Sequence, residues 1–254
     1  MRCALDELPT RAEREPVVGA GIGGDDTTAV DAAAERAIVA RLEALHERGE
    51  KFVLVSEELG ERSFGGGPTR IVVDPIDGSN NAKRGIPFFS FALAVAEGDT
   101  MGDVVFGFVH DLGTGEEWTA TRGGGARLNG EPLGSQRPKD RLEMLSFEAT
   151  ETETIAEKAA AMVGVAERLR VMGSLALSLC HLADGRVDGV CSLKRARAVD
   201  IAAAQLLVRE RGFAIDLPED VPFEAAPLDN VRRSRAVAAG TPELCARLWA
   251  ALSA

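Results

Sequence analysis

The sequence predicts an α+β fold in two parts, and three observations carry that reading. An amphipathic helix near the N-terminus is followed by a run of short apolar strands. Beyond residue 140, strands and helices alternate, the pattern of an α/β layer. The chain has 254 residues, 45% apolar and 27% charged, which is a globular composition with enough apolar chain for a large core.

Taken in order, residues 30–46 place Ala34, Ile38, Leu42 and Leu45 at helical spacing, with Thr27 and Thr28 before them as caps. Phe52 to Val55 is a short strand ending in Ser56-Glu57-Glu58, and a glycine-rich loop follows at Gly65 to Pro68. Arg70 to Val73, Phe88 to Ala96 and Val104 to Val109 read as further strands. Glycines at 113 and 115 and at 123–125 mark turns, and Leu128-Asn129-Gly130-Glu131 has the composition of a hairpin turn. The polar segment Gln136 to Arg141 divides an N-terminal part, residues 1–140, from a C-terminal part, residues 141–254. In the second part strands are expected at Met144–Phe147, Arg168–Met172, Val187–Ser192 and Ala236–Ala239. Helices are expected at Ile155–Val165, from Ser174 through His181, at Ile201–Glu210 and at Pro242–Leu252.

Several function classes are excluded. The net charge of −11 leaves no general basic face for nucleic acid. The longest apolar stretch, Phe88 to Ala96, is far short of the roughly 20 residues that a bilayer requires. Met1 to Glu15 alternates acids and bases without the apolar core of a signal peptide. Cys3, Cys180, Cys191 and Cys245 form no paired motif, so free thiols and a cytoplasmic location are expected. The three histidines are scattered, which argues against a zinc site built on them.

The chemistry concentrates at Asp74-Pro75-Ile76-Asp77-Gly78-Ser79-Asn80-Asn81. Two carboxylates stand three residues apart at a strand end, and Pro75 stiffens the turn between them. Asp74, Asp77 and the Ile76 carbonyl can converge on one point, and such oxygens are what Mg²⁺ selects. A helix starting at Gly78-Ser79 would add free amides as an anion site. By itself this segment reads more readily as a polar turn. Glu57-Glu58 lies at another strand end, and Asp200 and Asp31 enter alanine-rich helix starts. Both aspartates can serve as helix caps, and all four positions together can serve as one metal cluster. Lys194, Arg195 and Arg197 put three bases in four residues, either a solvated loop or a clamp for a second phosphate.

The set Glu57-Glu58, Asp74-Pro75-Ile76-Asp77-Gly78-Ser79 with Asn81, and Val199-Asp200-Ile201-Ala202-Ala203 resembles the inositol monophosphatase family of Mg²⁺-dependent phosphatases. Thr28-Ala29-Val30-Asp31, residues 123–130 and Gly173-Ser174 with Ala183 and Gly185 resemble further elements of the family, over residues 25 to 240. Ser56 to Gly60 and Arg84 to Pro87 are most similar to archaeal members, which hydrolyse inositol-1-phosphate and fructose-1,6-bisphosphate. The resemblance implies a layered αβαβα sugar-phosphatase fold and a homodimer acting on a small sugar phosphate. It implies Glu57, Asp74, Ile76, Asp77 and Asp200 as ligands of two or three Mg²⁺. Asp31, Ser79 and Glu57 would activate water, while Gly78, Ser79, Gly173, Ser174, Arg195 and Arg197 would bind substrate. Two positions depart from the family pattern. Its usual Asp-Gly-Thr is Asp-Gly-Ser at 77–79, and Leu193 stands where many relatives have the Glu that contacts inositol. A nucleotide phosphatase and a regulatory relative on the same fold are the rival readings.

Overall fold

The computed structural model describes residues 5, 7–22, 26–134, 139–148, 151–219 and 221–253. Cys3 and most of the expected boundary at 136–141 fall outside them or at their edge. A short helix α1 (Arg11–Arg14) leads to a two-stranded ribbon, β1 (Val17–Ala20) and β2 (Asp26–Thr28). The expected first helix is α2 (Ala29–Glu47). It packs Ile38 and Leu42 on Phe52, Leu54, Ile71 and Val73 of the sheet beneath it.

That sheet has seven strands in chain order, β3 (Phe52–Ser56), β4 (Gly60–Asp77), β5 (Ser90–Ala96), β6 (Val104–Asp111), β7 (Glu117–Thr121), β8 (Gly125–Leu128) and β9 (Glu131–Pro132). The expected loop at Gly65–Pro68 lies inside the long β4. The strand's first half folds back along β3, with Phe52 opposite Phe64, and its second half sets Ser56 opposite Val73. Glycines at 65, 66 and 67, all at positive φ, make that bend, and their lack of side chains hid it from a periodicity reading. The expected hairpin turn is present, with Leu128 opposite Glu131 and Asn129 and Gly130 both at positive φ.

The C-terminal sheet has the order β11-β10-β12-β14-β13 and is mixed. Its strands are β10 (Leu142–Glu148), β11 (Ala166–Arg170), β12 (Gly189–Ser192), β13 (Ala214–Asp216) and β14 (Val237–Ala239). β10 runs parallel to β11 and β12, and β14 runs antiparallel to β12 and β13. Helices α4 (Thr152–Ala161) and α7 (Pro242–Ser253) cover its outer face, where Phe147, Met162, Leu244 and Leu248 form one cluster. A short α3 (Ser79–Arg84) follows β4 directly.

Between the two sheets lie α5 (Leu175–Asp184) and α6 (Ala198–Glu210), giving the layer order αβαβα. The largest core cluster is here, and it draws residues from both parts of the chain. The large sheet meets the helices through small residues. Ala92, Ala94 and Ala96 alternate inward along β5 and face helices that carry Ala202, Ala203 and Ala204. Gly107 on β6 is the tightest point, since a Cβ there would stand 2.3 Å from the Ala203 carbonyl oxygen. Gly107→Ala must push α6 off the sheet. It is expected to destabilise the fold by about 3 kcal/mol, the upper range for overpacking, and urea unfolding measures it. Unchanged stability would mean that α6 has room to yield.

Candidate active site

The site lies where strand ends of both sheets meet. β3 ends at Ser56 and passes Glu57 into a cleft of about 670 Å³. Ser56 is held from two sides, its hydroxyl donating to Glu35 at 2.7 Å and its carbonyl accepting from Asn230 Nδ2. β4 ends on Asp74 and Asp77. Asp74 is buried, and its Oδ1 accepts from the Ile76 amide at 3.0 Å, which closes the turn that Pro75 stiffens. Ser79 Oγ donates back to the Ile76 carbonyl at 3.0 Å. Gly78 takes a positive φ of 93° at the start of α3. A Cβ there would meet the Gly173 and Phe88 carbonyls at 3.0 and 3.1 Å, so the turn is seated against the Gly173 loop.

Asp31 and Asp200 both cap a helix and face the cleft. Asp31 is the third residue of α2, and its Oδ2 accepts from the Thr28 amide at 3.1 Å and the Thr28 hydroxyl at 2.5 Å. Its Oδ1 is buried and has no hydrogen-bond partner. Asp200 is the third residue of α6, and its Oδ2 accepts from the Arg197 amide at 2.7 Å. In each carboxylate Oδ2 makes the cap, while Asp31 Oδ1 has no partner and Asp200 Oδ1 accepts from Arg197.

Asp31, Glu57, Asp74, Ile76, Asp77, Gly78, Ser79, Gly173, Arg195, Arg197 and Asp200 all line this one cleft. Ser174 stands behind it, donating to Asp77 Oδ2 at 2.6 Å while capping α5 at the Leu177 amide. The bases divide. Arg195 is 60% exposed and pairs with Glu219 at 3.2 Å, on the solvated side of the loop. Arg197 is buried, and its guanidinium donates to Glu57 and, at 3.4 Å, to Asp200. Its head group is therefore committed to carboxylates and does not stand open to a phosphate, because buried acids draw the nearest cation inward. Glu148, Lys83, Arg84 and Arg233 also line the cleft and were not singled out in the sequence. Glu148 ends a strand as Glu57 does, in Ser146-Phe147-Glu148, and that parallel was the available signal.

Electrostatics mark the cluster. Burial pushes the Glu57 carboxyl up to about 7 against the pull of Arg197. Burial also pushes Asp77 up to about 7, despite the donors Ser174 and Ala176. Asp74 lies well above the usual carboxylate range, first from burial and then from Glu57, Asp77 and Asp200. A carboxyl raised on folding holds its proton longer in the folded state, so stability falls as pH rises from the unfolded value toward the folded one. For Asp77 that window runs from about 4 to about 7. In chelator, Asp77→Asn is expected to gain stability relative to the parent as pH rises through this window. Denaturant unfolding at pH 4.5 and 7.5 checks this, and a difference independent of pH contradicts it.

The donor set suits a hard divalent cation. Among the described residues, no three His, Cys, Asp or Glu side chains as they stand form a ready metal cage. All the donors are oxygens, however, Asp31, Glu57, Asp74, Asp77 and Asp200 share one cleft, and the buried Asp31 Oδ1 lacks a partner. Arg197 presently supplies the positive charge between Glu57 and Asp200.

The layered fold is the one that inositol monophosphatases share, and comparison with known proteins agrees. The model of the inositol monophosphatase family matches residues 9–252, and the chain belongs to that family. It is 35% identical over 253 residues to the fructose-1,6-bisphosphatase/inositol-1-monophosphatase of Methanothermobacter thermautotrophicus, covering 95% of this chain and 88% of that one. The relative of the same description from Thermococcus kodakarensis is 37% identical over 77% of this chain and 71% of its own. Nus factor SuhB of Escherichia coli is 32% identical over 74% of this chain and 70% of its own. Among solved structures, an inositol monophosphatase–fructose 1,6 bisphosphatase superposes with a TM-score of 0.83 at 27% identity, over 98% of this chain and 95% of that one. In the described residues, no helix is long and apolar enough to cross a membrane.

Proposed function

We propose that this chain is a magnesium-dependent phosphatase of sugar phosphate monoesters, with fructose-1,6-bisphosphate and inositol-1-phosphate as its leading substrates. The observation that carries the reading is the convergence of Asp31, Glu57, Asp74, Asp77 and Asp200 from separate elements on one cleft. The names of the archaeal relatives, which cover nearly the whole chain in one case, support both substrates. Glu57, Asp74, the Ile76 carbonyl, Asp77 and Asp200 would hold two or three magnesium ions. Bound there, magnesium would supply charge to the phosphoryl and leaving oxygens and lower the pKa of the attacking water. Asp31 and Ser79, with Glu57 beside them, orient that water and take its proton. The amides of Gly78 and Ser79, at the start of α3, receive the phosphoryl oxygens. Gly173 and Ser174 close the wall behind Asp77. Arg195, with Lys83, Arg84, Lys194 and Arg233 along the same cleft, offers charge to a second phosphate. The buried free thiols Cys180, Cys191 and Cys245 support a cytoplasmic location.

Among the described residues lining the cleft none is aromatic, which favours a sugar over a nucleobase. The relatives named Nus factor SuhB favour, as a second reading, a factor role carried on this fold. Initial rates on a panel of phosphate esters decide among these. The reading expects the highest kcat/KM on fructose-1,6-bisphosphate or inositol-1-phosphate. A preference for 3′-phosphoadenosine phosphates overturns the substrate, and no turnover of any ester favours the factor role.

Arg197 gives a separate check on the metal. Arg197→Gln leaves Glu57 and Asp200 without their internal counter-charge. In chelator it is expected to lose about 2 kcal/mol of stability, the worth of a charge-assisted hydrogen bond. Saturating magnesium is expected to return most of that loss. Thermal unfolding in chelator and in magnesium measures both, and an equal deficit in each would contradict a cation site between these acids.

A further inference from the structure

In the wall of the cleft, one buried carboxylate bonds to the turn and helix start that carry Asp77. Glu148 closes β10 and is 6% exposed. Its Oε2 accepts from the Gly173 amide at 2.8 Å. Its Oε1 accepts from the Ser146 hydroxyl at 2.6 Å and the Ser178 hydroxyl at 2.7 Å. Gly173 precedes Ser174, the cap of α5, and Ser178 lies in the first turn of that helix. The carboxylate thus grips the start of α5 from both sides. That same helix start delivers two donors to one oxygen. Ser174 Oγ and the Ala176 amide each reach Asp77 Oδ2 at 2.6 Å. Asp77 Oδ2 is taken, and Oδ1 is the oxygen left for a ligand in the cleft.

We propose that Glu148 is a positioning residue, which fixes the carboxylate plane of Asp77 through the Gly173–Ser174 turn and the first turn of α5. Burying a carboxylate is costly unless each oxygen is hydrogen-bonded, and here both are. The position needs an acceptor that takes one backbone amide and two hydroxyls at once. Alanine or serine cannot span those three donors. Glutamine can, because its amide oxygen accepts from Gly173 and the serine hydroxyls can turn to accept from its nitrogen. The inference rests on the reading of Asp77 as a magnesium ligand.

The test is magnesium binding by calorimetry without ester, on the full chain, for Glu148→Ala, Glu148→Gln, Ser174→Ala and the double variant Glu148→Ala/Ser174→Ala. Partners behind a ligand are worth about 10- to 100-fold in metal affinity, and Glu148→Ala is expected to fall in that range. Glu148→Gln is expected to recover to within about threefold of the parent, since it keeps the acceptor toward the Gly173 amide. The double variant is expected to bind no more weakly than the weaker single, because both changes cut one chain of contacts. Fully additive losses, or unchanged affinity in Glu148→Ala despite a lowered Tm, would overturn the proposal and leave Glu148 a purely structural group. Where Glu148→Ala does not fold, Ser178→Ala removes one donor only and takes its place in the same cycle with the same expected coupling. A parent chain that binds no magnesium overturns the reading of Asp77 instead, and the calorimetry of the parent alone shows which of the two has failed.

Discussion

Asp77→Asn is expected to fold normally and to lose about 10³-fold in kcat/KM, the equivalent of about 4 kcal/mol of transition-state charge stabilisation. The structure says why the change is severe. Asp77 Oδ2 is committed to the Ser174 hydroxyl and the Ala176 amide. An asparagine can keep those two bonds only by giving its oxygen to them, which turns its NH₂ toward the cleft. The atom facing a cation is then a donor where a charged acceptor is required. The reverse orientation sets the NH₂ against two donors and strands them. The fold survives because the substitution removes a buried charge whose carboxyl burial already pushes up to about 7. Phosphate release on fructose-1,6-bisphosphate and inositol-1-phosphate measures the loss, with Tm as the control on folding. Turnover within tenfold of the parent at saturating magnesium would remove Asp77 from the chemistry.

The next largest effect is expected at Ser79. Ser79→Ala is expected to lower kcat by about 10²-fold, within the range for a positioned proton transfer. Ser79→Thr keeps the hydroxyl and is expected to be nearly neutral. The Ser79 hydroxyl donates to the Ile76 carbonyl, which leaves its lone pairs to accept from a water in the cleft. Its place as the first residue of α3 is set by the turn at Gly78, whose close approach to the Gly173 loop leaves no room for a side chain. Equal kcat values for the alanine and threonine variants would mean that the hydroxyl has no role in the chemistry.

Much of this site was legible in the sequence, because acids at the ends of apolar elements are conspicuous. Asp74 and Asp77 closing β4, and Asp31 and Asp200 entering alanine-rich helices, stand at such points. The α+β class was legible from the switch between a run of strands and a strand–helix alternation, while the layer order came from the family resemblance. Short strands were not legible. β1, β2, β7, β8 and β13 were missed, since elements of three to five residues hold too few apolar positions to show a period. The starts of α4 and α6 were set three residues late for a related reason. α6 begins at Ala198, three residues before the first strongly apolar position used to place it, because its capping acid is also a cleft residue. The fate of Arg197 was illegible in principle. Three bases in four residues read as one clamp, but Arg195 turns to Glu219 and solvent while Arg197 turns inward to Glu57 and Asp200. Which base goes inward depends on where Glu57 lies, and Glu57 comes from 140 residues earlier in the chain. Glu148 was overlooked because its partners Gly173 and Ser178 lie 25 and 30 residues further along the chain.

The central claim is that the acids of this cleft work by holding divalent metal for phosphate-ester hydrolysis. The most direct measurement is inorganic phosphate released from fructose-1,6-bisphosphate by the chain stripped with chelator, then supplied with graded Mg²⁺. The account expects no turnover above background in chelator, full recovery on adding Mg²⁺, and no recovery in Asp77→Asn at the same concentrations. Phosphate release that persists in chelator, or that Asp77→Asn supports as well as the parent does, would contradict it.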